Sequence, residues 1–383
     1  MLRRVLLAGA LWSGAQLVSS YLNDTDLTAG IGTVGFLTAT LVLGLVWVAR
    51  STRLSDASIV AALALGWILR YYTVLRHEPS MSEGLLANPW KYSISVPICL
   101  FVLAVAWRLR WKRLWVCALL VLISVVSIIK DFRFLTGLAL AVAVIVLVLG
   151  SSVRLGRRAR VHASVIGVGV LVVLYLSYPN LATGGFFGER AQDQQAEYDQ
   201  TDTNFLIANR AEMPQAAYLT AMHPFLGIGA SAVLSSEEAN EALDFVRGLG
   251  VAMTPARKAY LLDQSGTNQG YVTHSALLDS TLQAGLLALP FWLVALSALL
   301  RNAARTRDAD AGRVALVWFI GLLSVWNALF SPLGLSLWLC VALGLFLARG
   351  PQVRHETDPL RAEESGPEAT LASPGLTLTR GRS

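Results

Sequence analysis

The chain has 383 residues, of which 55% are apolar and 15% charged, with a net charge of +6. That apolar share is too high and that charged share too low for a water-soluble globular domain. The three cysteines, Cys99, Cys117 and Cys340, all lie in apolar runs. They read as small hydrophobes, with neither a disulfide framework nor a metal-ligand spacing.

Taken in order, apolar runs occupy about 5–22, 30–49, 58–75, 93–108, 114–129, 134–150, 163–179, 281–300, 314–330 and 334–349. Each can cross a hydrocarbon core of about 30 Å. Lipid offers no partner to backbone N–H and C=O, so such runs must be helical. The expected fold is an all-α polytopic membrane protein of about ten transmembrane helices. Arg3 and Arg4 ahead of the first run resemble a signal peptide. With further spans behind it, the run reads as an uncleaved first helix.

Lys and Arg set the orientation. Arg3/Arg4, Arg50/Arg53, Arg108/Arg110/Lys112/Arg113, Arg154/Arg157/Arg158/Arg160 and Arg301/Arg305/Arg307/Arg313 fall in alternate connections, which are predicted to be cytoplasmic. Asp24/Asp26, Arg76/Lys91 and Lys130/Arg133 fall in the intervening, outward ones. Both termini are then inside and the long polar interval is outside. The basic excess is a topology signal and requires no nucleic-acid partner. Four parts follow: a seven-helix membrane part (1–179), an extracytoplasmic loop (180–280), a three-helix membrane part (281–349) and a disordered cytoplasmic tail (350–383).

Trp90, Trp107, Trp111 and Trp115 lie near span ends, where indoles anchor at the interface. Arg70, beside Tyr71 and Tyr72, either snorkels to the surface or walls a polar cavity.

The outer interval is acidic. Arg190, Arg210, Arg247, Arg257 and Lys258 face twelve carboxylates between Glu189 and Asp279, most of which read as solvated surface. Ser235-Ser-Glu-Glu238 reads as a capping box opening a helix that Gly248 and Gly250 end. Pro214 suits the first turn of a helix running to about Met222. Arg210 precedes that helix, where backbone N–H groups and the dipole favour an anion. The alternative is an ion pair with Glu212. Pro224-Phe-Leu-Gly-Ile-Gly229 allows close backbone approach at Gly227 and Gly229 but lacks the context of a dinucleotide fingerprint. His223 reads as structural.

His274 follows Thr273, a candidate cap for a helix continuing into the eighth span. Imidazole exchanges protons near neutrality, so His274 is a candidate general base. The alternative is a hydrogen-bonded histidine at a helix start. Asp279 falls on another face of that helix. Asp308-Ala-Asp310 reads as a solvated turn among arginines rather than a metal motif.

Three patches together resemble the O-antigen ligase and O-antigen polymerase (Wzy-type) family of membrane glycosyltransferases. They are Lys130-Asp-Phe-Arg133-Phe-Leu-Thr-Gly, Arg210 with Pro224-Phe-Leu-Gly-Ile-Gly229, and His274 with Gln283-Ala-Gly-Leu-Leu-Ala-Leu289. The match covers about 120–350 and departs from the family pattern at Ser275 and Gln283. The resemblance implies a GT-C-like fold with a large outer helical loop. It implies a lipid-linked oligosaccharide donor on undecaprenyl pyrophosphate, a glycan acceptor, and a site at the outer face of a bacterial cytoplasmic membrane. Arg133 and Arg210 would hold the pyrophosphate, and His274 would act as base with inversion. Arg70, Arg190, Gly227 and Gly229 would be further binding positions. No cofactor or metal is needed if arginines carry the charge. A transporter or lipid-linked glycan flippase is the alternative, but it would place ionisable residues at mid-span. Apart from Arg70, such residues are essentially lacking.

Overall fold

The structure is a computed structural model. It describes residues 2–25, 35–52, 54–74, 88–149, 180–185, 210–266, 273–306, 309–331 and 335–349, with isolated positions between 192 and 207. The predicted seventh span, Arg190 and the tail after Arg349 lie outside the described residues.

Among the described residues every regular element is helical. The apolar runs form α1 (Leu2–Leu22), α2 (Gly35–Ser51), α3 (Asp56–Thr73), α4 (Ser95–Arg108), α5 (Arg113–Ile129) and α6 (Arg133–Leu149). A π turn, Trp90–Ile94, leads into α4. The polar interval adds α7 (Glu212–Met222), α8 (Ser236–Gly248) and α9 (Pro255–Gly266). Then come α10 (Ala276–Ala284), a 3-10 turn (Gly285–Ala288), α11 (Leu289–Arg305), α12 (Ala311–Phe330) and α13 (Leu335–Leu347). Four stretches are long and apolar enough to cross a membrane: Arg3–Leu22, Trp90–Arg108, Ala276–Arg305 and Ala311–Phe330. Thr40–Ser51, Arg113–Ile129, Arg133–Leu149 and Ser336–Leu347 are shorter apolar helices.

Helix α12 is the axis of the bundle, packing against α4, α5, α6, α10, α11 and α13. Its alanines, glycines and serine let neighbouring backbones approach, the usual basis of helix association in lipid. Trp12 of α1 lies within 5.1–6.1 Å of Phe291, Trp292 and Trp338, so aromatic contacts bind α1, α11 and α13 together. Helices α5 and α6 form a hairpin. Ser124 Oγ donates to the Thr136 carbonyl and Thr136 Oγ1 to the Ser124 carbonyl, both at 3.3 Å.

The eighth predicted span is not one helix. It breaks at Gly285, whose φ is +66°, and α11 restarts at Leu289. The freed carbonyls of Leu282 and Gln283 accept the N–H groups of Ile228 (2.8 Å) and Gly229 (3.2 Å), and Leu286 N–H donates to the Pro224 carbonyl (2.8 Å). A non-helical segment in a membrane bundle is tolerated where other protein backbone satisfies it, which this seam does.

In the polar interval, Ser235 and Glu238 form the expected capping box and Pro214 sits in the first turn of α7. Ala216, Leu219, Ala239, Ala242, Ile228 and Leu282 form a cluster that holds α7 against α8 and α10.

Candidate functional site

A cavity of about 580 Å³ opens where α12 ends and α4 and α6 begin. Arg133, Arg210 and His274, distant in the chain, all line it.

One wall is built around Asp131. The α5–α6 turn places Asp131 at φ +49°, a left-handed conformation that Asp tolerates. Its Oδ1 accepts from Arg133 Nε at 3.1 Å and its Oδ2 from Lys91 Nζ at 3.2 Å. Lys91 reaches it because Asn88 ties the π turn to the hairpin. Asn88 Oδ1 accepts the Lys91 N–H (3.1 Å), and Asn88 Nδ2 donates to the Lys130 carbonyl (2.8 Å). The π turn then presents Lys91, Tyr92 and Ser93 to the cavity, with Ser95 behind them. Single π turns of this kind recur at functional sites.

The other wall is built around Glu212, the first residue of α7 and only 5% exposed. Its Oε1 lies 3.4 Å from His274 Nδ1 and 3.6 Å from Arg210 Nη1. Burial alone would raise the Glu212 pKa. The hydrogen bond from His274, the helix-start N–H and the nearby His274 and Arg210 charges outweigh it and hold the carboxyl below its ordinary value. The site therefore keeps Glu212 as a carboxylate.

His274 stands one residue ahead of the helix cap, which is Ser275 rather than Thr273. Ser275 Oγ accepts the Leu278 N–H at 3.3 Å. Thr273 Oγ1 and Ser275 instead bond each other, and Asp279 Oδ1 accepts the Thr273 N–H at 2.6 Å. Asp279 is buried, so it holds the histidine's loop and is not solvated surface. Ala276 N–H donates to the Ser331 carbonyl (2.8 Å) and Ser275 Oγ to the Ala328 carbonyl (3.3 Å), pinning the loop to the end of α12.

The remaining wall is apolar. Trp326 stacks on Phe134 with ring centroids 4.3 Å apart, and Phe330 lies 4.5 Å from Trp326. Val96, Leu323 and Cys340 extend this surface into the bundle. The cavity is thus cationic at its rim and aromatic to aliphatic within. Among the described residues, Lys91, Arg133 and Arg210 outnumber the carboxylates of Asp131 and Glu212 that pair with them. Such a cavity suits an anion with an apolar tail, beside an imidazole able to exchange a proton.

Comparison with protein families, characterised proteins and solved structures finds no match to this chain.

The other sequence-predicted positions that fall among the described residues, Arg70, Gly227 and Gly229, do not line the cavity. Arg70 is exposed on α3, and it is Trp67, one turn earlier, that lines the cavity. Gly227 and Gly229 are spent on packing. A Cβ at Gly227 would collide with the Leu282 carbonyl, and one at Gly229 with Thr25 of the segment after α1. Their close backbone approach is to the broken helix and to α1, not to a phosphate. His223 pairs with Glu238 at 3.3 Å, a structural contact at the start of α8. Among the described residues, no group of three His, Cys, Asp or Glu side chains converges as a metal site would.

In the sequence Lys91 reads only as a topology marker and Glu212 only as an ion-pair partner of Arg210. Asp131 stood within the Lys130–Arg133 patch, and Glu212 stood two residues after Arg210. Those adjacencies were the available signals.

Proposed function

We propose that this chain is a ten-span membrane glycosyltransferase of the O-antigen ligase/polymerase type. It transfers or polymerises undecaprenyl-pyrophosphate-linked glycan at the outer face of the cytoplasmic membrane, in cell-surface polysaccharide synthesis. The observation that carries this reading is the shared cavity of Arg133, Arg210 and His274 with its aromatic inner wall. The apolar wall would receive the first part of the polyprenyl chain and the cationic rim the pyrophosphate.

In the reaction, His274 takes the proton of the acceptor hydroxyl. The oxygen attacks the anomeric carbon from the face opposite the pyrophosphate, and the bond from that carbon to the phosphate oxygen breaks. Its electron pair leaves on the lipid pyrophosphate, where Arg133, Arg210 and Lys91 stabilise the growing charge. The product is inverted at the anomeric carbon. The proton from His274 passes to solvent.

The outward placement draws support from the charge pattern. Helices α4 and α12 meet the cavity at one end, while Arg108 and Arg313 lie at the other, Arg313 over the Trp107 ring at 5.5 Å. Helix α8 offers an exposed test position, Glu241, and the α4–α5 connection another, Lys112. A Glu241→Cys protein should react with an impermeant maleimide on intact cells, and Lys112→Cys only after lysis. The reverse pattern would invert the topology.

The deciding assay reconstitutes the protein with a pyrophosphate-linked oligosaccharide and an acceptor glycan, with chelator present, and looks for transfer. A flippase would move the donor lipid and make no product. Arg210→Lys should keep the charge yet lower kcat/KM about 10- to 100-fold, because an ammonium cannot reproduce forked contacts to phosphate oxygens. A rate near wild type would remove the forked contact.

A further inference from the structure

We propose that the turn between α4 and α5 binds an anionic phospholipid, with the phosphate among Arg108, Arg110 and Lys112 and one acyl chain in the groove between α3 and α4. The site lies at the end of α4 remote from the cavity described above, and it stands independently of the transferase reading.

The groove has a volume of about 410 Å³ and walls that include Ala57, Ala62, Leu65 and Phe101. The alanines of α3 leave the space, and Ala62 and Leu65 are exposed, so the groove is open to its surroundings. From Ala57 to Leu65 it runs about 12 Å along the helix, most of the roughly 15 Å of hydrocarbon in one leaflet. An acyl chain gains from such a slot, whereas a nucleic acid or an acidic peptide would have nothing apolar to place in it.

Arg108 and Leu109 line the polar end of the groove. The next residues, Arg110 and Trp111, line a second hollow of about 460 Å³ together with Lys112 and Trp115. Arg108, Arg110 and Lys112 are exposed, and among the described residues none of them makes an ion pair. The chain has no Asp or Glu between Glu83 and Asp131, and Asp56, which opens α3, is held by Arg349 at 2.6 Å. The positive charge of this turn is therefore left for a group from outside the chain, and basic clusters at span ends attract anionic lipid. Trp111 and Trp115 add the indoles that favour the membrane interface.

Arg110 also stands in a left-handed backbone, φ +52°, at a place where helices ordinarily end on glycine. The turn is closed by Trp111 N–H to the Ala106 carbonyl (2.9 Å) and by Arg110 N–H to the Trp107 carbonyl (3.1 Å). A Cβ is disfavoured in that conformation. The guanidinium is thus carried where the turn itself would favour no side chain, which suits a binding role better than a packing one.

The test titrates full-length protein in mild detergent with phosphatidylglycerol, phosphatidylcholine or glycerol 3-phosphate and counts bound ligand by native mass spectrometry. Wild type should take up one phosphatidylglycerol at least about 10-fold more tightly than phosphatidylcholine. Arg108→Gln combined with Arg110→Gly should bring that preference below about threefold. Arg110→Gly alone places the favoured residue in the left-handed turn, so without lipid it should melt no lower than wild type while binding less phosphatidylglycerol. Ala62→Phe, on an exposed wall, should fill the groove and weaken phosphatidylglycerol at least about 10-fold with every cation in place, since two displaced methylenes alone account for that change. No retained phosphatidylglycerol, equal affinity for the two lipids, a preference unmoved by the cation variants, or undiminished binding in Ala62→Phe overturns the proposal. Glycerol 3-phosphate displacing the lipid at matched concentration would make the turn a site for free phosphate esters. A lipid-free dimer that Ala62→Phe disrupts would make the groove an interface between two copies. Either of these results also overturns it.

Discussion

His274→Ala should lower glycan transfer by about 10²–10⁴-fold, the range carried by a positioned general base, while the lipid donor still binds. An acceptor hydroxyl is a poor nucleophile until its proton leaves. Among the described residues His274 is the imidazole at the cavity, and its loop is fixed on both sides, by Asp279 through Thr273 and by Ser331 through Ala276. Removing the ring deletes the proton acceptor and leaves those backbone bonds in place. On the proposed reading the donor's charge would be met elsewhere, by Lys91 and Arg133 across Asp131 and by Arg210, which line the same cavity. Donor retention on nanodiscs should therefore match wild type. Product can be followed by mass spectrometry and binding by co-purified lipid. Unimpaired transfer by His274→Ala would remove the base from the mechanism. Equal loss of binding and transfer would recast His274 as a lipid ligand.

Gly285→Ala should cost about 2–6 kcal/mol, from a left-handed backbone and from overpacking combined. Gly285 has φ +66°, and a Cβ there would strike the Phe225 carbonyl and approach Leu226 N within 2.7 Å. Those atoms are backbone of the segment whose Pro224 carbonyl takes the Leu286 N–H, so neither side can give way without losing the seam. The seam also carries α10, and with it His274. Low yield and an early transition in fluorescence-detected size exclusion are the expected outcome. Gly321→Ala is the control. Its Cβ would meet only the Ala303 Cβ at 3.9 Å, an ordinary contact inside α12. That variant should express as wild type. Equal melting of Gly285→Ala and wild type would contradict the clash.

The amino-acid order alone determined the elements of this protein whose causes are local. Apolar runs in a medium without hydrogen-bond partners are helices whatever their neighbours, and α1 to α6 and α11 to α13 follow from that. The α8 capping box needs only Ser235 and Glu238, and the start of α7 only Pro214 and its flanks. The candidates Arg133, Arg210 and His274 could be picked out as polar groups at span or helix starts, yet nothing in their spacing says that they meet.

Tertiary structure alone decided that they share a cavity, and that His274 faces Glu212. The groups that meet there come from different elements: Lys91 from the π turn, Asp131 from the α5–α6 turn, Glu212 from α7. It also gave Gly227 and Gly229 a packing role, Gly227 against the backbone at the end of α10 and Gly229 against Ser20 and Thr25. Hydrophobic periodicity records that a face is apolar. It does not record whether lipid, another helix or a substrate covers it, since all three reward the same side chains.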